Sequence, residues 1–308
     1  MLLTPALAPA QSPVDFGLQE VRRVLAERGS STKAALPEVE YSTALPADGF
    51  QIKSGIVAGG SRRGVMYGLL EAADQLLERS AITNLKATPR IQIRGAWLRA
   101  SDLLLERSDR EWGRLFEGLA QARFNRLRLD LPSLDAARVA RLTAIARVAE
   151  AHAVDLAVGL QTVDSALVLK LFGSSIVFKA VCPPSSEAMA AILALSEVGR
   201  YATVDLPASA YTPEIRQEAA EQHVPLRLLS DLPTASAAAL WRSPVTPPAA
   251  GLNASVTGYE AGPLGEDWTA AARQLRGWTP LSFIEERGKA EPVKKAAPKK
   301  AKKPAKRR

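Results

Sequence analysis

The 308-residue sequence holds one cysteine, Cys182, and two histidines, His152 and His223. One cysteine excludes an internal disulfide. No group of His, Cys and carboxylates has metal-ligand spacing, so no metal centre is expected. No apolar run approaches the about 20 residues needed to cross a bilayer as a helix, and no membrane span is expected. Phosphate-binding loops are missing as well. The run "VAGGSRRGVMYG" (57–68) sets glycines before a helix, but it has neither the Lys-Ser/Thr of a P-loop nor the GxGxxG of a dinucleotide site. No cofactor is expected. The same stretch reads as a structural unit: Gly59 and Gly60 supply a tight turn with positive φ, Ser61 caps a helix, and Gly64 and Gly68 bring that helix close to a sheet.

Charge of one sign is scarce everywhere except at the end. The formal charge is +8, yet Lys289–Arg308 carries ten Lys or Arg and one Glu. The remaining body is therefore nearly neutral. Residues 286–308 are Lys, Ala and Pro with no large apolar side chain, a composition expected to stay disordered. Such a tail offers non-specific, salt-sensitive contact to polyanions, without the aromatics or motifs that read bases. Residues 1–13 resemble the end of a signal peptide, with Ala8-Pro9-Ala10 as a small-residue cleavage site. This favours a periplasmic or secreted location. The missing basic n-region leaves a plain leader as the alternative.

Between these ends, residues 14–92 read as a small α/β sandwich domain: a helix at 15–28, strand-like runs at 38–42, 49–54 and 55–60, then the helix from Ser61. The rhythm changes at residue 93. Strand-like runs at 91–101, 125–132, 154–161, 175–183, 201–207, 225–233, 239–245 and 253–262 alternate with amphipathic helices at 109–122, 134–151, 163–172, 185–199, 213–222 and 266–275. Eight such units predict an α/β fold of the (β/α)₈ TIM-like kind over 93–285, closed or incomplete, with helices outside a parallel sheet.

The run "GSRRGVMYGLLEAADQLL" before "PRIQIRGAWLRASD", followed by "WGRLFEGLAQARFNRLRLDLP", resembles the family 20 glycoside hydrolases, the β-N-acetylhexosaminidases, and their bacterial N-terminal domain. The α-glucuronidases carry a similar unit. The likeness covers about residues 35–132 and implies a carbohydrate or glycan substrate. By resemblance Arg94 matches an arginine that hydrogen-bonds sugar hydroxyls. The family's Asp five positions later is replaced by Arg99, with Asp102 three further on. The family also has a neighbouring Asp-Glu pair after its fourth strand, with Glu as general acid and Asp orienting the substrate's acetamido group. Here that place reads "KAVCPP" (179–184). Weak or no activity on simple N-acetylhexosaminides is therefore expected.

Strand C-termini in a barrel face the active end. Asp130, Asp205, Asp231 and Glu260 each close a strand run and are the candidate catalytic carboxylates, one to protonate and one to stay ionised. They are expected on one common face. Asp-Leu-Pro recurs at 130–132, 205–207 and 231–233, so these aspartates also read as turn caps at a repeated strand-to-loop device. Arg94, Asp102 and Trp241 are the substrate-binding candidates. Cys182 reaches the same face as a small apolar residue, whereas His152 and His223 sit at helix ends on the opposite one. Two readings stay open: a glycoside hydrolase with non-standard catalytic residues, and an inactive glycan-binding or scaffold relative.

Overall fold

The computed structural model describes residues 12–29, 35–173, 178–199, 202–231, 257–265, 267 and 271. Two sheets organise them. The first is small and mixed. β1 (Glu38–Tyr41) pairs parallel with β3 (Ile56–Gly59), and β2 (Phe50–Lys53) pairs antiparallel with both β3 and β4 (Leu85–Ala87). Ser54 and Gly55 both take positive φ, which fits the right-handed twist of a two-residue hairpin between β2 and β3.

The helix α2 (Arg62–Arg79) covers this sheet, and α1 (Pro13–Arg28) packs on α2. Ser61 caps α2 as its position predicts, accepting from the backbone N–H of Arg63 and Gly64. Val65, Leu69, Ala72 and Leu76 of α2 are buried with Phe50, Ile52 and Val57 of the sheet and Val21 and Val24 of α1. Each large apolar side chain so buried contributes about 1.5–3 kcal/mol. The turn before α2 corrects one expectation. Gly59 and Gly60 do not take positive φ. They are needed because backbone crowds them: a Cβ on Gly60 would lie 2.0 Å from the carbonyl oxygen of Pro46. Gly68 faces the sheet at close range, where a Cβ would meet Val57 at 2.6 Å.

The second sheet is a closed parallel barrel. Its strands are β5 (Ile93–Arg99), β6 (Arg126–Leu131), β7 (Asp155–Leu160), β8 (Phe178–Cys182), β9 (Thr203–Pro207), β10 (Leu226–Asp231) and β11 (Gly258–Ala261). The ring runs in chain order and closes through β11 and β5. Between successive strands come the short α3 (Asp102–Leu105), then α4 (Asp109–Gln121), α5 (Ala136–Glu150), α6 (Ser165–Gly173), α7 (Ala188–Ser196) and α8 (Pro213–Glu221).

The expected eight strands become seven. The run 239–245 lies outside the described residues, and β10 pairs directly with β11, Leu229 opposite Gly258, which leaves no slot between them. The helix expected at 266–275 and the segments 1–11 and 286–308 also lie largely or wholly outside the described residues. β4 and α3 are elements that the apolar periodicity did not predict.

Strand sequence decides what fills the barrel. In "RLRLDL" (126–131), Leu127, Leu129 and Leu131 are buried under the helices with Trp112, Phe116 and Leu142. Their alternates, Arg126, Arg128 and Asp130, point into the lumen. The lumen is thus lined by ions, where barrels of this kind more often stack branched aliphatics. Side-chain N-caps start α3, α4, α5 and α8, and Ser108 and Glu111 form a full capping box at the start of α4.

Candidate functional site

The C-terminal ends of the strands open into a pocket of about 950 Å³. Its acidic and basic lining is Arg99, Arg128, Asp130, Asp205 and Glu260, with Cys182 beside them. Ser101, Gln161, Ser209 and Ser230 add neutral polar groups. Three of the four sequence-predicted carboxylates therefore meet in one cavity. Asp231 ends β10 in register with Glu260. Trp241 lies outside the described residues.

Arginine from β6 organises the carboxylates. Arg128 Nε lies 2.8 Å from Asp130 Oδ1, and its Nη1 donates to Glu260 Oε2. Arg126, one pleat deeper, pairs through Nη1 with Asp205 Oδ2, and its Nε stands 3.1 Å from Glu260 Oε1. The last contact is ionic and too poorly aligned for a hydrogen bond, since Arg126 Nε and Glu260 Oε1 make none. Arg227 of β10 grips Asp205 with two donors, Nε to Oδ1 at 2.8 Å and Nη2 to Oδ2 at 3.0 Å. The Thr203 hydroxyl donates to Oδ1 as well, at 2.9 Å.

Asp205 and Glu260 are buried to within a few per cent, while Asp130 keeps 35% of its side chain exposed. Such buried charges persist only because each is paired. Burial works against the charge on Arg128, yet Glu260, Cys182 and Asp130 outweigh it and hold its pKa above the ordinary value. Burial prevails at Arg227, whose pKa is lowered despite Asp155, Cys182 and Glu260.

Small residues make room for this cluster. A Cβ on Gly95 would sit 2.8 Å from Glu260 Cγ, and one on Gly159 only 2.0 Å from Asp130 Oδ1. The aspartates of the Asp-Leu-Pro repeats at 130 and 205 do not cap the following turns; their oxygens are committed to arginine. Cys182 closes β8, where the family pattern would set its Asp-Glu pair. Its Sγ accepts from Arg126 Nη2 at 3.0 Å. Burial raises its pKa, with Arg126 and Arg128 pulling against that and Glu260 and Asp130 adding to it. It is therefore a protonated thiol at neutral pH, not a thiolate nucleophile.

Two predicted substrate-binding residues lie away from the pocket. Arg94 is at the start of β5, the opposite end of the barrel, and 1% exposed. Its donors go to the carbonyls of Ile91 and Arg123, to Asp48 Oδ2 at 2.8 Å and to the Tyr67 hydroxyl. It ties the barrel to the small sheet. Asp102 is exposed on the rim and paired with Arg138 at 2.8 Å. Arg126 and Arg128, which hold the carboxylates, are not among the residues that the sequence singled out. Their signal was the alternation "RLRLD", which sets two arginines and an aspartate on one face of one strand.

Among the described residues no group of three or more His, Cys, Asp or Glu could hold a metal ion. No helix among them is long and apolar enough to cross a membrane.

No protein-family model matches the sequence, and no curated protein does. Solved structures do match in fold. The Flavobacterium johnsoniae chitobiase, of glycoside hydrolase family 20, is 12% identical at a TM-score of 0.54 over 91% of this chain and 67% of its own. The Vibrio harveyi family 20 exo-β-N-acetylglucosaminidase is 11% identical at 0.51, over 92% and 73%. A family 138 enzyme targeting pectin rhamnogalacturonan II is 12% identical at 0.51, over 74% of this chain but 47% of its own, so this chain spans about half of that protein. At these identities the likeness establishes the architecture: the barrel is of the kind found in glycoside hydrolases.

Proposed function

We propose that this chain is a carbohydrate-active protein of the glycoside hydrolase kind, in which the mouth pocket receives a sugar and Asp130 and Glu260 act on a glycosidic bond. The observation that carries this reading is the pair of carboxylates bridged by Arg128 at the open end of the barrel. Asp130 is the exposed member, placed to exchange a proton with a leaving oxygen or a water. Glu260 is the buried member, held by two arginines and suited to stay ionised beside a developing positive charge at the sugar ring. Solved structures from glycoside hydrolase families 20 and 138 share the fold, which supports the class and leaves the sugar open. "AVCPP" (180–184) at the end of β8 offers no carboxylate to hold an acetamido group, so N-acetylhexosaminides are poor substrates in this reading.

A second reading has its own support. Each described carboxylate of the pocket already carries an arginine, an arrangement suited to binding without cleavage. A panel of aryl glycosides separates the two. Turnover that is lost in both Asp130→Asn and Glu260→Gln, with the fold checked by thermal unfolding, supports hydrolysis. Sugar binding without turnover supports the binding role. Strong turnover of an aryl N-acetylglucosaminide would overturn the substrate argument, and neither binding nor turnover of any sugar would overturn both readings. The Lys-rich end adds polyanion attraction in the same proposal. Truncation after Gly288 should abolish salt-sensitive retention on heparin and leave the melting temperature nearly unchanged.

A further inference from the structure

Arg128 pairs with Asp130 and Glu260, while Arg126 and Arg227, which line the cavity at the opposite end of the barrel, hold Asp205. Arg99 is committed to none of these carboxylates. It ends β5 in register with Asp130, lines the pocket and is exposed. Gly95, two pleats down the same strand, faces Glu260 inside the lumen, so the parity of β5 turns Arg99 inward over the mouth. Among the described residues its guanidinium makes no hydrogen bond and no ion pair. An exposed guanidinium beside carboxylates that Arg128 already holds is free to meet an anionic group on a ligand.

The geometry points to an acidic saccharide as the ligand of this pocket, with Arg99 receiving the carboxylate of a uronic acid residue. The inference rests on the proposed sugar site and adds its charge class. A guanidinium presents two parallel N–H donors that match the two oxygens of a carboxylate, a fit that neither a lysine nor a hydroxyl reproduces. The committed network beneath matters equally. Because Asp130 and Glu260 are already paired with Arg128, they repel an incoming anion less than free carboxylates would. Ser101, Ser209 and Gln161 around the rim supply neutral donors and acceptors for ring hydroxyls, so the sugar skeleton and its charge are read by different residues.

The test uses the full chain and three ligands: tetragalacturonate, its fully methyl-esterified form, and chitotetraose. Affinities are measured by calorimetry at low and at physiological ionic strength, for the wild type, Arg99→Gln and Arg99→Lys. A charge-assisted pair of this kind is worth a preference of about tenfold to a hundredfold for the acid over its ester. That preference should disappear in Arg99→Gln, persist in part in Arg99→Lys, and leave the affinity for the ester nearly unchanged in both. The side chain is exposed and, among the described residues, makes no hydrogen bond or ion pair, so the melting temperature should hold. Equal binding of acid and ester by the wild type, or a preference that survives Arg99→Gln, overturns the charge assignment and leaves the sugar site standing. Preference for chitotetraose over tetragalacturonate does the same. Failure of all three ligands to bind sinks the sugar site itself, and the inference with it.

Discussion

Arg94 of the barrel donates to Asp48 of the β1–β2 loop, Nη2 to Oδ2 at 2.8 Å, across the seam between barrel and small sheet. Asp48 also accepts from Asn125 at 3.0 Å and faces Arg63 at 3.5 Å. Burial pushes the Asp48 carboxyl up, but Arg94 and Arg63 outweigh it and hold its pKa below the ordinary 3.8. Removing Arg94 leaves Asp48 with Asn125 and a longer contact to Arg63 and takes the donor from the Ile91 and Arg123 carbonyls, at a cost of up to about 3–5 kcal/mol. Arg94→Ala should therefore lower unfolding free energy by that order in denaturant titrations and leave sugar affinity untouched. The carboxyl gives a second readout. Its depressed value contributes stability above pH 3.8 that is lost as pH falls through the folded-state value. Unchanged stability with weakened sugar binding would return Arg94 to the ligand.

The seam shows where the sequence stops being informative. "IQIRGAWLR" displays its strand character openly, and both Arg94 and Arg99 are visible in it. Which arginine meets the ligand depends on the direction of the strand in the barrel and on what stands at each end. Residues 12–92 put Asp48 and Tyr67 against the N-terminal end, and no local pattern reports that. The carboxylates were legible for a simple reason: parallel strands end together, so Asp130, Asp205 and Glu260 had to gather. Two of their arginine partners stand openly in "RLRLD", but a lumen wide enough for three arginines and three carboxylates depends on Gly95 and Gly159 standing opposite Glu260 and Asp130, which no local pattern reports. The strand count failed on pairing. Periodicity marks 239–245 as strand-like, but β10 and β11 bond to each other.

Gly159 should tolerate no side chain. A Cβ there would sit 2.0 Å from Asp130 Oδ1 and 2.9 Å from its Cγ, so Asp130 must leave its place beside Arg128. Overpacking of this sort costs about 1–3 kcal/mol. Gly159→Ala is expected to fold with that loss and to bind or turn over sugar poorly, as Asp130→Asn does. Combining the two changes should cost the site little more than either alone, because both remove the same contact. Additive losses in a double-mutant cycle would show that Gly159 acts elsewhere.

Cys182 lines the pocket as a thiol whose pKa is raised by burial. Thiolate is the reactive form, so alkylation by iodoacetamide at pH 7 should run well below the rate of an exposed peptide cysteine. A bound saccharide should slow it further by closing the mouth. The rates follow from mass spectrometry of the intact chain with and without ligand. Reaction as fast as in the denatured chain would place the thiol outside the pocket.

His152 makes the last prediction, and its site lies far from the sugar. It follows α5, is 6% exposed, and its Nδ1 stands 2.9 Å from the Val148 carbonyl. A carbonyl only accepts, so Nδ1 carries the proton and Nε2 is bare in the neutral ring. Phe16 of α1 meets the ring edge-on at 5.0 Å and Phe116 of α4 lies nearly parallel at 6.3 Å. His152 thus joins the helix layer of the small sheet to that of the barrel through aromatic contacts. Burial lowers its pKa below the ordinary 6.5, against the smaller opposing effect of the Val148 bond. The sign follows from linkage: the unfolded chain takes up the proton first, so stability is full above pH 6.5 and declines as pH falls from there toward the folded-state value. Urea titrations at pH 7.5 and pH 5 should show this decline in the wild type. In His152→Phe, which keeps an apolar ring and removes the titration, the difference between the two pH values should shrink. An equal pH dependence in both proteins would mean that the ring is protonated in place, and that the contacts to Phe16 and Phe116 admit a charge.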